Sequence, residues 1–171
     1  MLRDYIMSAA IFSLFSFAWF GWAQETLPTQ WRWPVALASG SALLLAAYSG
    51  YLSYQHWHSA SVLAAEANYQ WYLIFVISEF ILAGSGALLL LKKHQSAYVA
   101  PWISLIVGSH FIALQFIFHD PSLYLLAALM ISVSLGGLFR RIHAKSALVG
   151  VSNGVILLGF ALFNFGRFFW H

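Results

Sequence analysis

The sequence predicts an all-α, polytopic bundle of about six membrane-spanning helices, and three observations carry that reading. Hydrophobic residues make up 61% of the 171 and charged residues 8%, whereas a soluble domain uses about 25% charged residues to cover its surface. Six apolar stretches are long enough to cross a hydrocarbon core of about 30 Å, which takes about 20 helical residues. Aromatic side chains, 18% of the chain, gather at the ends of those stretches, where amphipathic rings sit at headgroup depth. The runs are too long for barrel strands, and backbone in lipid must satisfy its hydrogen bonds within its own segment.

The predicted spans are 5–22, 33–54, 69–91, 98–118, 122–139 and 146–169, forming a single transmembrane domain over 1–171. The first ends on Gly21-Trp22-Ala23, a small-x-small pattern that resembles a signal-peptidase site. Its apolar run exceeds the roughly 7–15 residues of a signal core and is rich in Phe and Trp, so it reads as a span. Pro28 and Arg32 punctuate the first gap. In the second span Ala42, Ala46, Ser49, Ser53 and His56 form a small-residue face that reads as packing. The longest connection, 55–68, holds His56, Trp57, His58 and Glu66 and is expected to contain a short helical stretch at 62–67. Lys92-Lys93-His94 closes the third span, Asp120-Pro121 separates the fourth from the fifth, and Arg140-Arg141 with Lys145 separates the fifth from the sixth.

The net charge of +3 does not point to nucleic acid, because the basic residues sit in short connections between apolar runs. They also set an orientation. The first, third and fifth connections hold Arg32, Lys92, Lys93, Arg140, Arg141 and Lys145, against Arg3 and Arg167 on the other side. Positive charge stays inside, which places the odd connections in the cytoplasm and both termini outside. No cysteine is present, which excludes disulfides, thiolate metal sites and cysteine nucleophiles.

Few residues at membrane depth carry chemistry. Glu79 is the one carboxylate well inside a span, and such a residue marks a functional site unless it is paired as structural glue. Ala83 and Gly86 share its face, so it is expected to face a helix neighbour. His110 lies well inside the fourth span on an otherwise apolar face. Glu79 lies ten residues below the start of its span and His110 eight residues before the end of the next, so antiparallel neighbours would bring them to matching depth. Such a pair would share a proton as a relay, sensor or ligand anchor, or simply tie two helices together. Asn153 and Asn164, eleven residues apart, project within about 20° of one another on a 3.6-residue helix. They read as amides lining a cavity or as interhelical hydrogen bonds, beside a Gly150-x-x-x-Gly154 packing motif. At the outer face His56, His58, Glu66, His119, Asp120 and the terminal His171 are ligand types a divalent metal would accept, but no metal-site spacing organises them and solvated interfacial histidine is the plainer reading. No catalytic motif, phosphate loop or dinucleotide fingerprint occurs, and no cofactor is implied.

The run Ile106-Val107-Gly108-Ser109-His110-Phe111-Ile112-Ala113-Leu114, following Ala100-Pro101-Trp102, resembles a middle span of small, uncharacterised multi-pass bacterial membrane proteins that carry Gly-x-His-Phe. The likeness covers about 20 residues. It implies a bacterial, hence cytoplasmic (inner) membrane, protein with Gly108 and His110 near its centre, and it implies no activity. Three functional readings follow: a small transporter or ligand- or proton-binding membrane protein using Glu79, His110, Asn153 and Asn164; an accessory membrane subunit whose polar residues only hold helices together; and, least supported, an intramembrane enzyme. Membrane lipid is the expected surrounding, and a small-molecule or ion ligand, a second copy or a membrane-protein partner stays open.

Overall fold

A chain this apolar satisfies its backbone internally, and helices of 18–27 residues result, about 27–40 Å long at 1.5 Å per residue. The computed structural model describes residues 2–139 and 145–170. Its long helices are α1 (Leu2–Ala23), α2 (Thr29–Gln55), α3 (Glu66–Lys92), α4 (Val99–Phe118), α5 (Ser122–Phe139) and α6 (Lys145–Trp170), with no strand among the described residues. All six are long and apolar enough to cross a membrane. They begin and end within a few residues of the predicted spans. The stretch expected to be helical at 62–67 is instead a single 3-10 turn, Val62–Ala64, after which Glu66 opens α3. The Ser61 hydroxyl caps that turn by accepting from the Leu63 amide at 3.2 Å, which satisfies one of the donors its helical bonds leave open. Arg140, Arg141 and His171 lie outside the described residues.

The most extensive helix contact is α1 with α6, joined where glycine removes a side chain. A Cβ on Gly150 would stand 2.8 Å from the Ala23 Cβ and 2.9 Å from the Trp19 carbonyl oxygen, and one on Gly154 would stand 2.5 Å from the Phe20 ring. The Ser16 hydroxyl donates to the Gly154 carbonyl at 2.7 Å. Small residues at a membrane interface let backbones approach until such contacts form. The pair α4–α5 follows the same rule: a Gly108 Cβ would meet Ile131 at 2.9 Å, Ser104 donates to the Met130 carbonyl at 3.1 Å, and Ser134 donates to the Pro101 carbonyl at 2.6 Å. Phe12, Trp19, Phe111, Leu126, Met130 and Leu157 fill the core between these pairs. The small face of α2 (Ala42, Ser49 and Ser53) is buried.

Helix α3 stands apart. None of its residues is buried, and among the long helices it leans mainly on α4. The Trp102 indole of α4 occupies the space a Gly86 side chain would need and donates to the Leu82 carbonyl at 3.2 Å.

The two ends of the bundle differ. The Lys145 ammonium lies 3.9 Å over the Tyr98 ring, so the α3–α4 and α5–α6 connections share an end, and the Gly150–Ala23 contact brings the α1–α2 connection there too. The opposite end is tied by polar contacts. Arg3 donates to the Trp57 carbonyl at 2.7 Å. The Asp4 carboxylate accepts from the Ser61 hydroxyl at 2.6 Å and the Val62 amide at 3.0 Å, and Asp120 pairs with Arg167.

Candidate functional site: an internal cavity

A cavity of about 370 Å³ runs from that second end into the bundle. Its walls are α1 (Met7, Ser8, Ile11, Phe12, Phe15), α3 (Tyr72, Val76, Glu79, Phe80) and α4 (Val107, His110, Phe111, Leu114), with Leu157, Asn164 and Arg167 from α6. Residues 119–123 and Val62-Leu63 cover its end nearest the helix termini. This volume falls at the lower end of small-molecule sites. The lining is mainly aromatic and aliphatic, with a few polar groups converging on it.

The deepest of those groups are Glu79 and His110. Glu79 Oε2 lies 3.4 Å from His110 Nε2, with 16% and 8% of the two side chains exposed. The contact spans two antiparallel helices joined by a short connection, with the carboxyl and the imidazole at matching depth. At 3.4 Å it is longer than the usual hydrogen bond of about 2.9 Å, so a small approach of α3 to α4 would complete it. The pair also forms a wall between two spaces. On its other side lies a hollow of about 190 Å³ lined by Phe75, Ser78, Leu82, Ile106, Ser109 and Ala113.

The two asparagines divide. Asn164 is buried, lines the cavity, and donates from its amide to the Phe160 carbonyl at 2.9 Å. Asn153 is fully buried and does not line the cavity, and neither its Nδ2 nor its Oδ1 has a partner among the described residues. Two amides aligned within about 20° on one helix nonetheless face different surroundings, because α6 meets α1 and α5 near Asn153 and the cavity near Asn164.

The mouth holds a cluster that sequence reasoning did not assemble. The Arg167 guanidinium pairs with Asp120, donates to the Tyr5 hydroxyl at 2.8 Å and sits 4.0 Å over the Tyr5 ring. Asp120 also accepts from the Ser122 amide at 3.0 Å, capping α5. Burial by itself would raise the Asp120 pKa, but the hydrogen bonds from Ser122 and Arg167 outweigh it and hold the carboxyl below the ordinary carboxylate range. The available signal was positional: Arg167 is three residues beyond Asn164, on the same stripe.

The described histidines of the connections do not form a metal-binding group. His56 Nδ1 lies 2.9 Å from the Leu52 carbonyl and its ring packs edge-on against Phe168. His58 and His119 are exposed. Among the described residues no three histidine, aspartate or glutamate side chains are placed to hold a metal ion.

Comparison with protein-family models, curated proteins and solved structures returns no match to this chain. The Gly108–Phe111 likeness therefore brings no family with it. The chain is described by its architecture: a multi-pass, all-α membrane bundle with a polar-floored internal cavity.

Proposed function

We propose that this chain is a small-ligand- or proton-binding membrane protein, a small transporter or binder whose site is the internal cavity. One observation carries the reading: Glu79, His110 and Asn164, from three different helices, line the same cavity. Interhelical hydrogen bonds in membranes average only about 0.6 kcal/mol, so stability alone is a weak reason to gather polar groups at one focus. In this reading Glu79 is the titrating group, His110 is its proton partner, and Asn164 offers an amide to whatever occupies the space. The basic connections lie in the cytoplasm and the cavity mouth faces outward, in the inner membrane of a bacterium.

The test uses purified protein in proteoliposomes and in detergent. A pH-dependent uptake or thermal-stabilisation signal is expected, and Glu79→Gln is expected to abolish it. His110→Leu is expected to cost about 1–3 kcal/mol by stranding the carboxyl, more than an equally conservative change at Val107. A Glu79→Gln protein that keeps every signal returns the chain to the accessory reading. The observation favouring that second reading is α3, which has no buried residue and would offer a long apolar face to another membrane protein.

A further inference from the structure

The cavity has a second opening, and it faces the lipid. Helices α1 and α3 stand on either side of it without packing closely on one another. Ile11 and Phe15 on α1 and Phe80 on α3 line the cavity, yet they are 36%, 44% and 64% exposed. Residues that are at once cavity wall and outer surface mark a gap. This gap lies within the spans, level with Glu79, which is the neighbour of Phe80.

From this we infer that the cavity is filled sideways from the bilayer by an amphiphile without a negative charge, whose hydrogen-bonding head reaches the Glu79–His110 pair. This inference rests on the cavity being a ligand site, and it names the ligand's class and route. The route follows from the gap: the surface at its edges is aromatic and aliphatic, which water-soluble solutes do not cross within a hydrocarbon layer. The head's charge follows from the polar groups. Arg167 is already neutralised by Asp120, and Asp4 is engaged by Ser61 and the Val62 amide. While Glu79 and His110 hold one titrating proton between them, as proposed above, they sum to zero charge whichever of them carries it. An anionic head would therefore enter an apolar site with no free positive group, which costs several kcal/mol. A hydroxyl or carbonyl head finds both a donor and an acceptor across the 3.4 Å gap. Size agrees. At about 30 Å³ per water, 370 Å³ equals about a dozen waters, enough for a compact head and several methylenes.

The experiment is photolabelling of the full chain in phosphatidylcholine nanodiscs with two diazirine probes of equal length, a C16 fatty alcohol and the corresponding alkylsulfonic acid, which stays ionised in the bilayer. The alcohol is expected to label peptides containing Ile11, Phe15, Val76 and Phe80 over the acid by about fivefold, the factor one hydrogen bond of typical net strength gives. Ile11→Trp, which plugs the gap from α1, is expected to reduce that labelling by a similar factor. Phe80→Trp does so from the exposed face of α3, where folding is least at risk. Equal labelling by both probes, or labelling unchanged by both plugs, overturns the inference. The two ideas fail separately. Loss of the Glu79-dependent pH signal with selective, plug-sensitive labelling removes the proton role alone. A surviving pH signal without selective labelling removes the lateral amphiphile alone.

Discussion

Adding one methyl group at Gly150 should separate α1 from α6, and the size of the effect follows from contacts already described. The new carbon would stand 2.8 Å from the Ala23 Cβ, 2.9 Å from the Trp19 carbonyl oxygen and 3.1 Å from the Ala23 Cα. Two of the three obstacles are backbone atoms, which cannot rotate away. Ordinary carbon–carbon contact is about 3.5–4.0 Å, so the helices must part by roughly 1 Å. Overpacking of this kind costs about 1–3 kcal/mol, and parting also stretches the 2.7 Å Ser16–Gly154 hydrogen bond. Gly159 supplies the control on the same helix. A Cβ there meets nothing within 4 Å, so Gly159→Ala should stabilise by up to about 1 kcal/mol through helix propensity alone. Gly150→Ala gains the same helix propensity, so the two variants should differ by the overpacking cost alone, about 1–3 kcal/mol, with Gly150→Ala the less stable. Unfolding in mixed micelles, followed by tryptophan fluorescence, measures both. Equal stability of Gly150→Ala and Gly159→Ala would refute the reasoning, because it would mean α1 is not seated against Gly150.

Three further outcomes are expected. Asp120 is depressed in the folded protein by Ser122 and Arg167, so its stabilisation is fully present above the ordinary carboxylate pKa of about 3.9 and is lost as pH falls toward the lower folded value. Asp120→Asn should therefore cost about 1–2 kcal/mol at neutral pH, the range of a partly exposed charged hydrogen bond, and converge with the parent once acid protonates the folded carboxyl; a gap that persists after that argues against the pair. His94 sits at φ 56° after α3, a left-handed conformation that costs a side-chain-bearing residue about 1 kcal/mol. His94→Gly should raise the melting temperature slightly, and a fall would show that the His94 side chain makes a stabilising contact there. Because the chain has no cysteine, Ala60→Cys and Gln95→Cys each give a single label site. A membrane-impermeant maleimide on intact cells should reach position 60 and not 95, and the reverse pattern overturns the orientation.

Much of the fold was legible because lipid leaves few options. Long apolar runs must be helices, and the Lys92-Lys93 and Asp120-Pro121 breaks mark where water begins. The Glu79–His110 meeting was also readable, since a short connection fixes antiparallel neighbours and residue counting fixes depth. What could not be read was which helices touch without a short connection. Gly150 and Gly154 announced a close partner but not that the partner is α1. For the same reason, sequence could not separate Asn153, at a tight helix seam, from Asn164, in the cavity. The Arg167–Asp120–Tyr5 cluster joins residues up to 162 positions apart, and no local pattern encodes such a meeting.

The seating of α1 against α6 also bears on how the bundle comes into being. These spans are separated by roughly 120 residues, which a ribosome adds in about 6–24 s at 5–20 residues per second. Throughout that interval the Ser16 hydroxyl, the Trp19 carbonyl and the notch at Ala23 lie against lipid or a chaperone instead of Gly150 and Gly154. The central seam thus closes last, when the sixth span leaves the translocon. A chain halted after α5 would carry a polar-notched first helix in search of a mate, a recognisable mark for membrane quality control.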